Sequence, residues 1–382
     1  MNETRTLTLA CVLILVTIGA LMVFSTTVLA FRDILSMSVW KHYVWLGLAL
    51  GAMFAMTRIP FEAVWRARWH LMGTAAALLV LVFIPPFGAK VNGAYRWLRL
   101  GPASFQPSEL AKVVFVIACA AFLARERRTW REDGRRFLGV IAATGVTAGL
   151  VMLEPDFGTA CLFGVIGFTL MFTAGVRWRF LIPTGVGGVG LGTALIFSSR
   201  YRLDRLLGFL TWQDDLRGSG YHIYQSLLAL GSGGLAGAGL GGSNQKLAFL
   251  PEAHNDFIFA ILGEELGLAG TGLVLGLFLL LFLCGIRIAR NLRDERKSIV
   301  AFGIILTITF QALMNIAVVT GSVPTKGIAL PFVSKGGSAL LISLASIGLL
   351  LRLASEAAEE EARVGLSGER VPLGRLGDVR QV

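Results

Sequence analysis

Asp256 is the residue whose position most demands a chemical explanation. It stands in Leu-Pro-Glu-Ala-His-Asn-Asp-Phe-Ile-Phe-Ala (250–260), where a long polar, glycine-rich segment ends and an apolar run of bilayer-crossing length begins. A carboxylate there is costly to desolvate unless it has a partner or a task, so it is the best candidate for a catalytic group. Glu109 and Lys112 come next. They lie three residues apart on one face of a helix that opens at Pro107, and they can pair. Such a pair either braces its helix or lines a site. Arg202 and Arg205, between Arg200 and Arg217, would share one face of a short helix. Their forks suit phosphate oxygens, and they equally suit anchoring to anionic lipid head groups.

The elements that must position these groups are membrane helices. Of 382 residues 55% are hydrophobic and only 15% charged, and the mean hydropathy is +0.70, so the charges are too few to coat a soluble globule of this size. The net charge of +11 is not a nucleic-acid signature, because apolar runs of spanning length interrupt the basic residues. About ten such runs occur, near 7–31, 39–56, 69–84, 107–124, 137–153, 159–175, 180–198, 257–286, 298–320 and 336–353. The expected fold is therefore all-α, a polytopic membrane protein. The first run is too long for a cleaved signal and lacks a clear Ala-x-Ala site, so it is expected to stay as an anchor.

Arginine sets the orientation. Arg58, Arg66 and Arg68 follow the second run, Arg125, Arg127, Arg128, Arg131, Arg135 and Arg136 the fourth, Arg177 and Arg179 the sixth, and Arg287, Arg290, Arg293, Arg296 and Lys297 the eighth. The positive-inside rule puts these four loops and both termini in the cytoplasm. The outer face then receives 85–106, 199–255 and 321–335. The middle segment, between the seventh and eighth runs, is far longer than an ordinary connection, and its amphipathic start and glycines suit an ordered functional loop. The spanning domain covers 1–353. From Ala354 the acidic residues Glu356, Glu359, Glu360 and Glu361, followed by scattered Gly, Arg and Pro, read as a helix end fraying into a disordered cytoplasmic tail.

Several motifs fall in one order along the chain: Arg96-Trp97-Leu98, Phe105-Gln106-Pro107-Ser108-Glu109-Leu110-Ala111-Lys112, Glu154-Pro155-Asp156-Phe157-Gly158-Thr159, Gly220-Tyr221 with Gln225-Ser226, 250–267, and Pro324-Thr325-Lys326-Gly327 through Ser338. Together they resemble the SEDS (shape, elongation, division, sporulation) glycosyltransferases over nearly the whole membrane domain. Gly241-Gly242-Ser243-Asn244-Gln245-Lys246, Pro251-Glu252-Ala253-His254 and Pro324-Thr325-Lys326-Gly327 look more like the division-type FtsW branch than the elongation-type RodA branch. Two departures are visible: Asn255 stands for the usual Thr, and Lys335 for the usual Tyr. The resemblance implies polymerisation of lipid II into glycan strands, with Asp256 taking the proton from the acceptor hydroxyl. Lys112, Arg202, Arg205 and Lys326, or a divalent cation such as Mg or Mn, would stabilise the departing pyrophosphate, and Glu109 and Ser334 would complete the substrate-binding set. Direct attack would invert the anomeric centre. The implied partner is a single-span class B penicillin-binding protein, a transpeptidase, with other membrane proteins of the division or elongation machinery. The implied location is the bacterial cytoplasmic membrane.

The remaining features read more plainly. Glu154-Pro155-Asp156 suits a short outer turn, chiefly structural, with Asp156 a lesser candidate for the substrate path. Gly237-x-Gly239-x-x-Gly242 follows no strand and is not a dinucleotide site; its glycines let the backbone bend or approach a ligand closely. Cys11, Cys119, Cys161 and Cys284 lie in apolar runs without metal spacing. His254 beside Asp256 does not make a metal site. Two rivals to an enzyme remain: a flippase for the lipid-linked precursor, which should concentrate polar groups at the membrane midplane, and a scaffold that only recruits a partner.

Overall fold

The computed structural model describes residues 1–29, 37–91, 93–101, 103–124, 130–216, 218, 220–247, 250 and 254–367. Phe31, Arg125, Arg127, Arg128, Arg217, Pro251-Glu252-Ala253 and the tail 368–382 lie outside these residues.

The helices are α1 (Asn2–Phe24), which continues as a π-helical turn Ser25–Leu29, α2 (Met37–Arg58), α3 (Phe61–Arg66), α4 (Arg68–Leu81), α5 (Pro107–Leu123), α6 (Trp130–Leu153), α7 (Phe157–Thr173), α8 (Trp178–Phe197), α9 (Arg200–Leu210), α10 (Tyr221–Ser232), α11 (Ile258–Asn291), α12 (Glu295–Val319) and α13 (Gly337–Ser367). Six stretches, in α1, α6, α8, α11, α12 and α13, are long and apolar enough to cross a bilayer by length and composition, and α4 and α7 are shorter apolar helices. The other runs read from the sequence coincide with α2 and α5. The fold is a polytopic all-α bundle. α11, α12 and α13 pack with α1 and α5 into a buried apolar centre, whereas α6 and α8 lie mostly at the periphery.

The segments between helices carry more structure than the apolar pattern reveals. Residues 88–105 form a three-stranded antiparallel meander, β1 (Gly88–Val91), β2 (Ala94–Leu100) and β3 (Ala103–Phe105), with Ala89 opposite Trp97 and Leu98 opposite Phe105. The long segment 199–255 contains α9 and α10. α13 does not fray at Ala354: it runs to Ser367, because Glu356 pairs with Lys297 at 2.8 Å, meets Arg352 at 3.0 Å and accepts from the Phe61 amide at 3.2 Å. Arg296 joins Glu62 at 3.0 Å. These contacts gather the starts of α3 and α12 and the later turns of α13 at one face, the arginine-rich one.

α11 is interrupted. Gly267 holds φ 64°, ψ −163°, a conformation essentially confined to glycine, and it splits α11 into a half-helix that starts at Ile258 and a longer piece that ends at Asn291. A break inside an apolar helix leaves carbonyls and amides that lipid cannot satisfy. The glycine-rich segment enters the gap and satisfies them. Ala238 and Gly239 donate to the carbonyls of Glu264 and Glu265 at 2.9 and 3.0 Å, and the carbonyls of Gly234 and Leu235 accept from Leu268 and Ala269 at 2.9 and 3.2 Å. Close approach is essential: a Cβ on Gly237 would lie 2.2 Å from the Glu265 carbonyl oxygen. The glycines bend the backbone, with positive φ at Gly237 and Gly239, and the close approach they permit here is to α11.

Two buried carboxylates lock the insertion. Glu265 pairs with Lys246 at 2.7 Å and accepts from Ser25 at 2.6 and 2.7 Å, which ties the segment to the end of α1. Glu264 accepts from the amides of Asn244 and Gln245 and from the Ser243 hydroxyl. Removing one member of such a buried pair costs about 3–5 kcal/mol, because the other charge is stranded.

Gly267→Ala should therefore destabilise the protein. Backbone strain alone costs about 1–3 kcal/mol, and the added Cβ would sit 2.5 Å from the Gly237 nitrogen. Gly272→Ala, a helical position with open space at its Cβ, is the matched control and should be neutral or slightly stabilising. Thermal unfolding in detergent compares the two; equal midpoints would show that the break is not needed for stability.

Candidate active site

Asp256 occupies a turn just ahead of the half-helix of α11 and is partly exposed. Three contacts hold the turn's backbone. The Asn315 side chain donates to the Asp256 carbonyl at 2.7 Å, the Ser334 hydroxyl donates to the Asn255 carbonyl at 2.6 Å, and the Lys335 amide donates to the His254 carbonyl at 3.0 Å. Ser334 also accepts from the Leu330 amide at 2.7 Å, so its hydroxyl serves the architecture around Asp256. The Asp256 carboxylate lies against Gly327: a Cβ built there would be 2.6 Å from Oδ2. Glycine in Pro324-Thr325-Lys326-Gly327 thus leaves room for the carboxylate itself.

That apposition brings Lys326 alongside. Its ammonium pairs with Asp156 at 3.0 Å, and its side chain presses on Gly158, where a Cβ would fall 1.8 Å from Nζ. Asp156 also caps α7, accepting from the Thr159 amide at 3.1 Å and the Thr159 hydroxyl at 2.9 Å. Burial would raise its pKa, yet Lys326, Arg96 and these hydrogen bonds hold it below the ordinary carboxylate range. Arg96, projected from β2, donates to the carbonyls of Glu154 (2.9 Å) and Pro155. The turn that seemed chiefly structural therefore joins the Asp256 neighbourhood through Lys326.

α9 supplies the outer cations. Arg205 is exposed, donates to the Thr325 carbonyl at 3.3 Å and lies 4.7 Å above the Tyr201 ring. Arg202 lies 5.7 Å from the Phe157 ring centre and donates to the Ser198 hydroxyl at 3.2 Å. His222 of α10 stacks on Phe257 at 5.7 Å with the rings 9° apart. Burial, then the nearby Arg205 charge, push its pKa down and keep the imidazole neutral at pH 7.

Glu109 and Lys112 form the expected pair, 2.8 Å apart and buried. They line a small cavity among α5, α12 and α13 with Gln311, Ser343 and Ser346, and Lys112 donates to Gln311. Sequence reading passed over Gln311 and Asn315, although two amides in an apolar helix are themselves a signal. It also passed over His222. Among the described residues no three His, Cys, Asp or Glu side chains gather where they could hold a metal ion.

Known proteins place this arrangement. Residues 5–359 match the family model for cell cycle proteins of the FtsW, RodA and SpoVE group, and the chain belongs to that family. It is 43% identical over 322 residues to a protein of Coxiella burnetii named probable peptidoglycan glycosyltransferase FtsW, covering 83% of this chain and 86% of that one. An Alcanivorax borkumensis protein of the same name is 38% identical over 85% of each chain. Among solved structures, a chain from work described as "Structural coordination of polymerization and crosslinking by a peptidoglycan synthase complex" is 27% identical with a TM-score of 0.76, covering 92% of this chain and 97% of that one. The rod shape determining protein RodA of Thermus thermophilus gives 0.68 at 27% identity, over 91% and 96%.

Glu154 offers a test of the site's electrostatics. Its side chain is fully buried, and neither carboxylate oxygen has a hydrogen-bond partner among the described residues. Burial, then the Asp156 charge, raise its pKa from 4.5 to about 8, against a smaller opposing effect of Arg96. The folded protein thus holds a proton that the unfolded chain releases. This stability is fully present below pH 4.5 and is lost as pH rises through about 8. Glu154→Gln, which mimics the protonated acid, should flatten the fall in unfolding midpoint across that window. Parallel pH profiles for the two proteins would refute the assignment.

Proposed function

We propose that this protein is an inverting peptidoglycan glycosyltransferase of the FtsW type, which polymerises lipid II at the outer surface of the bacterial cytoplasmic membrane and releases undecaprenyl pyrophosphate during septal wall synthesis. The observation that carries the proposal is the seating of the Asp256 carboxylate against Gly327, beside a set of cations at the outer helix ends. Asp256 accepts the proton of the acceptor sugar hydroxyl as its oxygen attacks the anomeric carbon of the donor. The bond to the lipid pyrophosphate breaks as the new glycosidic bond forms, and the configuration inverts. A pyrophosphate leaves without prior protonation, so one base and a positive environment suffice.

The cations divide by availability. Lys326 is committed to Asp156 and Lys112 to Glu109, whereas Arg205 is exposed and Arg202 partly so. Arg202 and Arg205 are therefore the first choice for the pyrophosphate, with bidentate forks. Lys326, Lys112, Glu109 and Ser334 shape the substrate path. A divalent cation would most simply arrive with the pyrophosphate, and no step here requires one.

Depth argues against a flippase. Lys112 is the sixth residue of α5, about 7–8 Å along the axis from its outer end, and Gln311 lies eight residues before the end of α12, about 12 Å. Both lie short of the centres of their helices, and Asp256, Arg202 and Arg205 lie outside the apolar spans altogether, whereas a transport site should concentrate its polar groups at the midplane. Purified protein with lipid II, alone and with a class B transpeptidase, and products sized on a gel, tests the reading. Asp256→Asn keeps the volume but is a far poorer base, so polymerisation should fall at least about 10²-fold with insertion and folding intact. Near-normal glycan synthesis by this variant would sink the mechanism.

Uncrosslinked glycan needs a transpeptidase close by, and α11 offers it a face. Gly272 and Gly276 have open space at their Cβ positions, flanked by exposed Leu268, Leu273, Leu275 and Leu279. Gly267 and Gly270 are not available, because the first faces the inserted loop and the second the Leu266 side chain. Small residues let a partner span approach closely where lipid gives no hydrophobic drive. Gly272→Trp or Gly276→Trp should weaken copurification with the class B penicillin-binding protein while glycan synthesis persists. Undiminished copurification would place that interface elsewhere.

A further inference from the structure

The base needs a fixed position, and the turn that carries it cannot supply one alone. Beside the Ser334 and Lys335 contacts, one tether comes from α12 and reaches the Asp256 backbone itself. Asn315 is buried and spends its side-chain amide on two carbonyls: Nδ2 donates to Asp256 at 2.7 Å and to Ile328 at 2.6 Å. The reversed amide would point oxygen at two carbonyl oxygens, so the partners fix its orientation. One turn earlier on the same face, Gln311 accepts from Lys112 and donates through Nε2 to the Ala329 carbonyl at 3.0 Å. The two amides form a ladder. It starts at the Glu109–Lys112 pair on α5 and ends on the backbone of Asp256 and of the segment that follows Lys326-Gly327.

We infer that Asn315 is a positioning residue for Asp256, setting the spacing between the Asp256 turn and the Lys326-Gly327 segment, with Gln311 tying the Glu109–Lys112 pair into the same arrangement. The inference rests on Asp256 being the base of the proposed reaction. The geometry leaves little slack. Gly327 already lies against Oδ2, so the two segments cannot close further, and separating them at Asp256 and Ile328 breaks one of Asn315's two bonds, while the Ser334 bridge holds Asn255 and Leu330 beside them. A shift of about 1 Å at such a site can cost about 10²-fold in rate.

A plain structural role is the competing account, since an amide that satisfies two buried carbonyls also stabilises the fold. The two accounts differ in what a substitution moves. The full-length protein is assayed with lipid II in the presence of a class B transpeptidase, with wild type and Asp256→Asn as references. Asn315→Ala should lower kcat by about 10²-fold with the KM for lipid II within about twofold. Hydrogen exchange should rise in peptides covering 254–257 and 327–330 and stay unchanged across α13. Asn315→Ser, which keeps one donor, should be intermediate in kcat, and it carries the test if the alanine protein does not fold. A kcat near wild type in both variants overturns the inference. So does a joint loss of kcat, lipid II affinity and exchange protection throughout the bundle, which marks a structural residue only. If wild type fails to polymerise, or Asp256→Asn stays active, the reading of Asp256 fails instead. The exchange measurement then decides the tether by itself: unchanged exchange at both segments in Asn315→Ala overturns it.

Discussion

Backbone satisfaction in a medium without water is the constraint on which this structure depends. A membrane helix normally meets it internally, and α11 does not, because Gly267 leaves the helical region. The price is a second segment threaded into the gap, with amides and carbonyls at matching positions, and Lys246, Ser25, Glu264 and Glu265 hold it there. What is gained is a half-helix whose start can be set independently of the long piece behind it. Asp256 sits at that start. The interruption within α11 and the placement of a carboxylate at the start of its half-helix are thus one feature of the fold.

The charges at the outer end follow a second rule, that buried charge must be matched. Asp156 and Lys326 neutralise each other, as do Glu109 and Lys112, and both pairs lie where solvent is scarce. Unmatched cations are carried by α9, which is amphipathic and partly exposed, where an isolated charge costs little. The site therefore presents a partly exposed carboxylate and accessible arginines to its surroundings while its supporting charges cancel. An acceptor hydroxyl and an anionic leaving group need that distribution.

The apolar helices, their order and the place of Asp256 just ahead of one of them were legible in the sequence, because each rests on a local contrast between apolar runs and polar interruptions. The Glu109–Lys112 pair was legible for a similar reason, being one helical turn apart. Asp156 with Lys326 was not: their meeting depends on how α7 and the loop after α12 pack, and no spacing along the chain encodes it. The insertion of Gly237 beside Glu265 was hidden for another reason. Glycine reports freedom to approach something without naming the neighbour, so a ligand and a broken helix give the same pattern. The meander over 88–105 and the helix α10 went unread because short elements at a membrane surface lack a long hydrophobic period.

The same logic explains why glycine recurs beside the chemistry. At Gly158 and Gly327 the issue is volume: each lies where a Cβ would occupy the place of Lys326 or Asp256. A larger residue at 327 would push the Asp256 carboxylate outward, and one at 158 would unseat the lysine that balances Asp156. Asp156 would then be a buried carboxylate without its main counter-charge, and it would take up a proton or draw in water. The two glycines thus protect one arrangement from opposite sides. The partly exposed Asp256 carboxylate and the covered Asp156–Lys326 ion pair depend on the same loop between α12 and α13 lying against both.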